Sequence, residues 1–364
     1  MKKIIALYLP QFHRIPENDE WWGPGFTDWV NVKKAVPLFK GHLQPRVPLN
    51  HNYYDLSDPK VLADQSSLAL AYGIDGFCFY HYWFNGKLLL EKPVEQLLTN
   101  TDVKIPFMFS WANETWARTW DGREKNILIQ QEYGGEKDWE SHLQYFLPFF
   151  KDERYIKIDN KPVLLLYTSS RIQNCAEMVD FWNRRLREYG FDGIYILETL
   201  NYIQPKPVLP NAAGTMTFEP VYTFSNEMKK QSLPAKIDRF LKVNMNLHKL
   251  TKYDSKSVFE NIANRSQPEN NNPSVCVGWD NTARKGKNGS VMVDNDPQYF
   301  KDTLHKLMTE DTTGPFVFIN AWNEWAEGTY LEPDNFYGTR YLEIIEQEKQ
   351  REKTNDEKTE KPKI

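Results

Sequence analysis

Short runs of apolar residues alternate along this chain with segments whose apolar positions recur at helical spacing. The runs are rich in β-branched and aromatic residues and are bounded by Gly, Pro, Asp or Asn, which predicts buried β-strands. The intervening segments repeat their apolar residues every three or four positions, which predicts helices. The predicted strands are 4–9, 74–80, 105–110, 162–167, 193–197, 214–218, 274–278 and 315–320.

Helix boundaries are marked by capping residues at several of the intervening segments. Asp58-Pro59 and Asp296-Pro297 each place a capping carboxylate before a proline in the first turn. Gly73 and Gly190 follow the last apolar position of a helical stripe, where a helix commonly ends. The predicted helices are 59–72, 88–98, 137–150, 175–189, 297–308 and 337–350, with a helical insertion at about 224–268.

Eight strands that alternate with helices predict an α/β fold of the (β/α)8 TIM-barrel type, with long strand-to-helix loops. The alternative is an open doubly wound sheet. That fold places a Gly-rich turn after its first strand, whereas Pro10, Gln11, Phe12 and His13 stand there. We expect one catalytic barrel over residues 1–345, followed by a charged, disordered tail at 346–364.

The eighth predicted strand runs into a turn that is rich in carboxylates, amides and indoles. Glu324 and Glu327 are three positions apart there, so a helical turn would place them on one face. A TIM barrel keeps its chemistry at the C-terminal ends of its strands. We therefore predict that these two glutamates are catalytic and act on a sugar, because glycoside chemistry needs one group to protonate the leaving oxygen and another to supply or activate a nucleophile.

The other strand ends also supply polar or aromatic side chains, which core packing alone does not explain. For this reason we predict substrate contacts at these positions. The predicted substrate-binding residues are Tyr8, His13, Tyr80, His81, Trp111, Asn113, Glu114, Trp116, Glu219, Trp279, Asp280, Arg284, Asn320 and Trp322. Supporting roles behind the site are the alternative for Glu114 and Glu219, and structural roles are the alternative for His13 and His81.

Composition agrees with a glycan as the binding partner. Aromatic residues make up 14% of the 364 residues, including 12 Trp, and sugar rings stack their C–H faces on such side chains. The net charge of −4 gives no basic footprint for nucleic acid, and no apolar run reaches transmembrane length. We expect the partner to be an oligosaccharide or polysaccharide, free or lipid-linked, with no nucleic acid and no integral membrane segment.

The chain offers no clear set of metal ligands and no cofactor motif. His13, His42, His51 and His81 are not spaced as ligands, and the three cysteines are far apart. The first apolar run, Ile4–Leu9, is too short for the core of a signal peptide. We therefore expect no metal, no cofactor and a cytoplasmic location.

Six segments together resemble the WbsX family, whose members are encoded in bacterial O-antigen and capsule gene clusters. The resemblance covers about residues 3–345, and the family is in turn similar to glycoside hydrolase family 99, the endo-α-mannosidases. The segments are 8–13, 22–29, 73–77, 111–116, 278–284 and 323–328. The resemblance implies a (β/α)8 barrel that acts on a glycan.

By this resemblance, Glu324 would deprotonate the 2-hydroxyl of the sugar to give a 1,2-anhydro intermediate. Glu327 would act first as general acid and then as base, with retention of configuration. A close pair also leaves little room for the separation of about 6.5–9.5 Å that inverting enzymes use. Family 99 carries a His where Ala326 stands here, so the resemblance does not extend to mannose specificity.

Three functions remain open from the sequence. The first is a glycoside hydrolase of polysaccharide biosynthesis or trimming. The second is a glycosyltransferase or transglycosylase, for which Asp294-Asn295-Asp296 superficially resembles a nucleotide-sugar motif, although Asp296 fits a helix cap better. The third is a glycan-binding barrel without activity, which the presence of both glutamates disfavours.

Overall fold

The computed structural model describes residues 2–119, 125–228, 250–310 and 314–359. A nearly closed parallel barrel forms its centre, which confirms the predicted fold. Its first six strands are Lys3–Tyr8, Gly76–Phe84, Phe107–Trp111, Lys161–Leu166, Tyr195–Leu200 and Gly214–Thr217. The seventh is interrupted at Pro273 into Asn271–Asn272 and Ser274–Cys276, and the eighth is Phe316–Asn320.

The interruption at Pro273 is where the barrel ladder breaks, because proline has no N–H to donate. Asn271–Asn272 pairs with the sixth strand, and Ser274–Cys276 pairs with the eighth. On the opposite side the first strand pairs in parallel with both the eighth and the second strand. Buried apolar side chains fill the barrel, and strands buried on both faces are written as continuous apolar runs.

Helices cover the outside of the barrel, in agreement with most of the predicted bounds. Asp58 accepts a hydrogen bond from the Lys60 N–H (2.9 Å), and Asp296 accepts one from the Gln298 N–H (2.9 Å), as the caps predicted. The α-helices are Pro16–Trp22, Asp28–Lys34, Pro59–Ala71, Lys92–Glu95, Glu136–Lys151, Cys175–Glu188, Ser255–Asn264, Thr282–Lys285, Pro297–Thr309 and Arg340–Thr359.

The helix predicted at 88–98 is wrong in its first half. The second strand continues to Phe84 and turns at Asn85-Gly86, where both residues have positive φ, into the antiparallel strand Lys87–Leu89. Asn-Gly is the usual pair for such a two-residue turn. Helical structure starts only at Lys92–Glu95 and continues as the 3₁₀ turn Gln96–Leu98.

The predicted insertion at 224–268 lies partly outside the described residues, which exclude 229–249. Its described part contains the strand Thr251–Asp254, which pairs in parallel with Ser290–Val293, and the helix Ser255–Asn264. A second accessory pair is the antiparallel ribbon of Trp116–Thr119 and Lys125–Ile129 beside the barrel mouth.

The last helix, Arg340–Thr359, extends into the segment for which a fraying helix end and a disordered tail were expected. The last helix runs to Thr359, and within it Glu348 and Lys349 are buried. Lys349 Nζ lies 2.7 Å from Asp75 Oδ2, so this end of the helix is tied to the start of the second strand. In the part of the chain described, no helix is long and apolar enough to cross a bilayer.

Candidate active site

The two glutamates are brought together by a tight hairpin whose tip is a single helical turn of the 3₁₀ type. Asn323–Glu324 pairs antiparallel with Thr329–Tyr330, and Trp325–Glu327 forms one 3₁₀ turn between them. Gly328 closes the turn in the left-handed region, at φ 61°. Both carboxylates consequently leave the hairpin on the side of the barrel mouth.

Arg284 links the carboxylates of the pair to a third one. Its Nη1 lies 2.8 Å from Glu327 Oε1, and its Nη2 lies 3.0 Å from Glu324 Oε2. The same Nη2 lies 2.8 Å from Oδ2 of Asp28, at the start of the helix Asp28–Lys34. One guanidinium thus fixes the relative position of the two glutamates, as its rigid fork of donors allows.

Burial has the largest effect on the pKa of Glu324. Burial raises the pKa of Glu324 to about 8, and the neighbouring charges of Glu327 and Asp28 act in the same direction. The positive charge of Arg284 opposes this rise in the pKa of Glu324. A carboxyl group that titrates near neutral pH is suited to proton transfer.

The pair faces a cavity of about 560 Å³, in the size range of ligand sites. Aromatic rings form much of its wall, mixed with hydroxyl, amide and charged groups. The lining residues are Tyr80, Tyr82, Ala112, Glu114, Thr115, Trp116, Tyr167, Tyr202, Phe218, Val221, Phe224, Ser225, Tyr253, Trp279, Asn281, Lys285, Ser290, Glu324 and Glu327. Such a surface combines stacking faces with hydrogen-bonding groups, which is what a sugar requires.

Several predicted site residues come together at this cavity. Tyr80, Glu114, Trp116 and Trp279 line it with the two glutamates, and Arg284 lies behind the pair. Trp279 is held by a hydrogen bond from its Nε1 to Ser290 Oγ (2.9 Å). Burial raises the pKa of Glu114, although Arg171 lies 3.3 Å away and opposes the rise.

Nine predicted substrate contacts do not line this cavity among the described residues. They are Tyr8, His13, His81, Trp111, Asn113, Glu219, Asp280, Asn320 and Trp322. All nine are buried, and strand geometry explains part of this placement. Neighbouring side chains on a strand point to opposite faces, so Tyr80 reaches the cavity while His81 points to the covering helix, 2.8 Å from His142 Nε2.

Some of these nine residues hold loops near the cavity in place. Asp280 Oδ2 accepts hydrogen bonds from His42 Nε2 (2.9 Å) and Gln44 Nε2 (2.7 Å), and its own N–H donates to Glu327 O (2.6 Å). Asn113 exchanges two hydrogen bonds with the backbone of Thr168. Asp280 and Asn113 therefore hold loops at the barrel mouth in position, although their side chains do not line the cavity.

The remaining members of the nine contribute to packing below or beside the cavity. Glu219 pairs with Arg265 Nη1 at 2.7 Å, and its carbonyl oxygen accepts from Asn320 Nδ2 (2.8 Å). Tyr8 donates its hydroxyl proton to Gln65 Oε1 (2.5 Å). His13, Trp111 and Trp322 are each at most 1% exposed.

Sequence reasoning missed Asp28 and Tyr253 as members of the site. Asp28 lies 256 positions before Arg284, and no local pattern joins them. Tyr82, which also lines the cavity, is two positions from Tyr80 on the same strand. Tyr253 stacks on Phe224 with ring centroids 3.8 Å apart, and it belongs to the accessory strand that the sequence did not predict.

Comparison with known proteins finds a matching family and solved structures of similar fold. The profile of a family described as "Glycosyltransferase WbsX" matches residues 4–345. A protein of Xanthomonas campestris pv. campestris, described as "Uncharacterized protein WxcX", is 35% identical over 350 residues. That match covers 94% of this chain and 49% of the relative, so the chain spans about half the length of the curated relatives it matches.

Among solved structures, the GH99 endo-alpha-mannosidase from Bacteroides thetaiotaomicron superposes with a TM-score of 0.55. The match covers 97% of this chain and 98% of that one at 15% identity. A chain described as "Glycoside hydrolase-like protein" gives a TM-score of 0.56 at 12% identity and covers 95% of this chain and 93% of that one. At these identities the likeness concerns the fold alone.

Proposed function

We propose that this chain, which belongs to the WbsX family, is an enzyme that cleaves a glycosidic bond of a bacterial polysaccharide. The observation that carries the proposal is the pair Glu324 and Glu327, joined by Arg284 at the wall of a ring-lined cavity. The substrate class is an O-antigen, capsule or lipopolysaccharide glycan, free or lipid-linked. The cytoplasmic location expected from the sequence stays a prediction.

The roles of the glutamates follow the resemblance to family 99. Glu324 takes the proton of the 2-hydroxyl, the O2 oxygen bonds to C1, and the C1–O bond to the leaving sugar breaks as Glu327 protonates that oxygen. In the second step water adds to C1 as the C1–O2 bond breaks; the water gives a proton to Glu327, and O2 regains its proton from Glu324. Configuration at C1 is retained after these two displacements.

The electrostatics of Glu324 suit the role of base. A sugar hydroxyl is a weak acid, so a carboxylate with a raised pKa removes its proton more readily than an ordinary glutamate. With a pKa of about 8, the ionised form of Glu324 grows as pH rises, so kcat/KM is expected to increase through that range while Glu327 keeps the proton that it donates. If Glu324 were the acid, kcat/KM would fall over the same range.

A second candidate is transfer to another sugar, which the description of the family favours. Transglycosylation needs only an acceptor hydroxyl in place of water at the second step. A nucleotide-sugar site at Asp294-Asn295-Asp296 has no such support. Asp296 caps a helix, and Asn295 Nδ2 donates to Val277 O (3.1 Å) and Tyr341 Oη (3.0 Å).

One experiment separates these functions. The protein is incubated with the purified polysaccharide of the strain that carries the gene, and separately with a panel of nucleotide sugars and Mn²⁺. We expect shortened glycan chains by mass spectrometry, with no heat of binding for the nucleotide sugars by calorimetry. Micromolar binding of a nucleotide sugar would favour a glycosyltransferase, and glycan binding without any change in chain length would favour a non-catalytic barrel.

A further inference from the structure

A second cavity, of about 510 Å³, adjoins the site and has no part in the function proposed so far. It shares Thr115 and Trp116 with the first cavity, so the two are neighbours along the accessory ribbon. The residues that line it are Gln11, Trp22, Phe26, Asp28, Val30, Asn31, Lys34, Thr115, Trp116, Ala117, Leu128 and Arg284.

The ion-paired cluster lies between the two cavities. Arg284 and Asp28 line the second cavity, whereas Glu324 and Glu327 line the first. The guanidinium of Arg284 contacts Asp28 and both glutamates, so it links a group of the second cavity to two groups of the first. A bond placed at the glutamates therefore has one cavity on each side.

The lining of the second cavity combines rings with hydrogen-bonding groups. Trp22 and Phe26 stack with ring centroids 5.7 Å apart, and Trp22 remains 44% exposed. Asp28, Asn31 and Lys34 provide polar groups beside these rings, and Asn31 Nδ2 donates to Asp28 Oδ1 (2.9 Å).

This mixture favours a sugar over a hydrocarbon as occupant. A pyranose offers an apolar face for Trp22 and hydroxyl groups for Asn31 and Lys34. A hydrocarbon chain would cover the charge of Lys34 without pairing it, which costs free energy. The size of the cavity also falls within the ~300–1,000 Å³ of ligand sites.

We propose that the second cavity binds the sugar on the far side of the scissile bond, so that a glycan chain crosses the Arg284–Asp28 pair. This inference rests on the proposed function, because it takes Glu324 and Glu327 as the reacting groups. By microscopic reversibility, the place that the leaving sugar vacates is also the place where an acceptor sugar would enter.

The test compares glycan lengths in a protein that cannot turn them over. Oligosaccharides of one and of several repeating units are prepared from the polysaccharide of the strain that carries the gene. Their binding to the Glu327→Gln protein is measured by calorimetry, alone and combined with Trp22→Ala. We expect Trp22→Ala to weaken binding of the long oligosaccharide roughly tenfold through the lost stacking, and to leave the short one unchanged.

Matched variants show that the effect belongs to the cavity. Trp22→Phe keeps a ring and should restore most of the affinity for the long oligosaccharide. Tyr253→Ala, in the first cavity, should weaken binding of both lengths. Phe336→Ala removes a ring that is 64% exposed and outside both cavities, so it should change neither affinity.

Every other result overturns the inference. Trp22→Ala without effect, an equal effect on both lengths, or no binding of either oligosaccharide would each do so. A short glycan with a dodecyl aglycone that gains affinity through Trp22 would instead make the occupant a hydrocarbon. Cleavage of the polysaccharide by the unmodified protein is measured separately, so the proposed function can stand where this inference fails.

Discussion

Three carboxylates share one guanidinium at the centre of the site, and this excess of negative charge acts on the pKa of Glu324. Glu324, Glu327 and Asp28 each contact Arg284, and Asp28 is almost fully buried. Close carboxylates in a buried site resist ionising together, whereas a neighbouring cation favours the ionised forms. Arg284 therefore keeps the base available at lower pH than burial alone would allow.

Removing the charge of Arg284 should move the pH profile of the reaction. Because Arg284 lowers the pKa of Glu324 against the effect of burial, Arg284→Gln should raise that pKa further. The rising limb of kcat/KM, which reports on the free enzyme, should shift from about 8 to higher pH. Arg340→Gln, at an exposed ion pair with Glu343, is the control, and an unshifted limb in Arg284→Gln would contradict this role.

The hairpin that carries Glu324 and Glu327 depends on one close backbone approach. A Cβ on Gly328 would lie 2.7 Å from Asp280 Cβ and 2.9 Å from the Asp280 backbone N. Gly328 also has φ 61°, where other residues are strained. The hairpin and the loop after the seventh strand therefore fit together only with glycine here.

Gly328→Ala should lower both stability and turnover, and Gly338→Ala is its matched control. Gly338 has φ 57°, but nothing lies within 4 Å of a Cβ built there. Gly338→Ala should lower the free energy of unfolding by about 1 kcal/mol, from backbone strain alone. Gly328→Ala should cost roughly 1–3 kcal/mol more because of the clash. If urea denaturation gave equal losses of unfolding free energy for the two variants, the close approach at Gly328 would not contribute to stability.

The buried histidine pair joins the second strand to the helix Glu136–Lys151. Burial lowers the pKa of His81 to about 3 and that of His142 well below its usual value, so both rings are neutral in the folded protein. His142 also stacks on Trp83 with centroids 4.5 Å apart. The unfolded chain, with ordinary histidines, binds more protons below about pH 6.5.

Stability should therefore fall as pH drops from about 6.5 toward 4, by up to ~1.4 kcal/mol per pH unit for each histidine. Replacing the pair together, by His81→Leu with His142→Phe, should flatten the dependence of unfolding free energy on pH over this range. The exposed His51 is a control, since His51→Asn should leave the dependence unchanged. An equally steep slope in the double variant would mean that other groups cause it.

The barrel strands were predictable because buried parallel strands are written as apolar runs, such as Phe316–Asn320. The same runs do not predict which side chains at the barrel mouth point toward the cavity. Tyr80 and His81 are both aromatic and polar, so the sequence does not reveal which one points inward. The partnership of Arg284 with Asp28 depends on a loop position that only the folded chain determines.

At the scale of the whole molecule, the last helix ties the C-terminus back to the start of the barrel. Lys349 pairs with Asp75, and Asp75 Oδ2 also accepts from the Ile4 N–H (2.7 Å). On the same helix, Glu348 Oε2 lies 2.8 Å from His305 Nδ1. The sequence did not predict these contacts because this part of the helix is held by ion pairs. Its residues are charged and lack the apolar spacing that indicates a packed helix.

Truncation should locate the end of the structural unit. A chain that ends at Gln350 keeps both ion pairs and should melt close to the full chain. A chain that ends at Ile345 loses them and should melt several degrees lower, since ~1 kcal/mol typically shifts Tm by about 2–4 °C in a protein of this size or somewhat smaller. Identical melting of the two truncated chains would contradict the anchoring role of Glu348 and Lys349.

The most direct test of the account is the turnover of Glu324→Gln and Glu327→Gln on the polysaccharide. Glutamine preserves the shape of each side chain and removes its ability to transfer a proton. Both variants should fold as the unmodified protein does, and each should lose at least about 10²–10⁴-fold in kcat. Glu343→Gln, on the last helix, is the control. Full activity in either site variant would contradict the assignment of the pair.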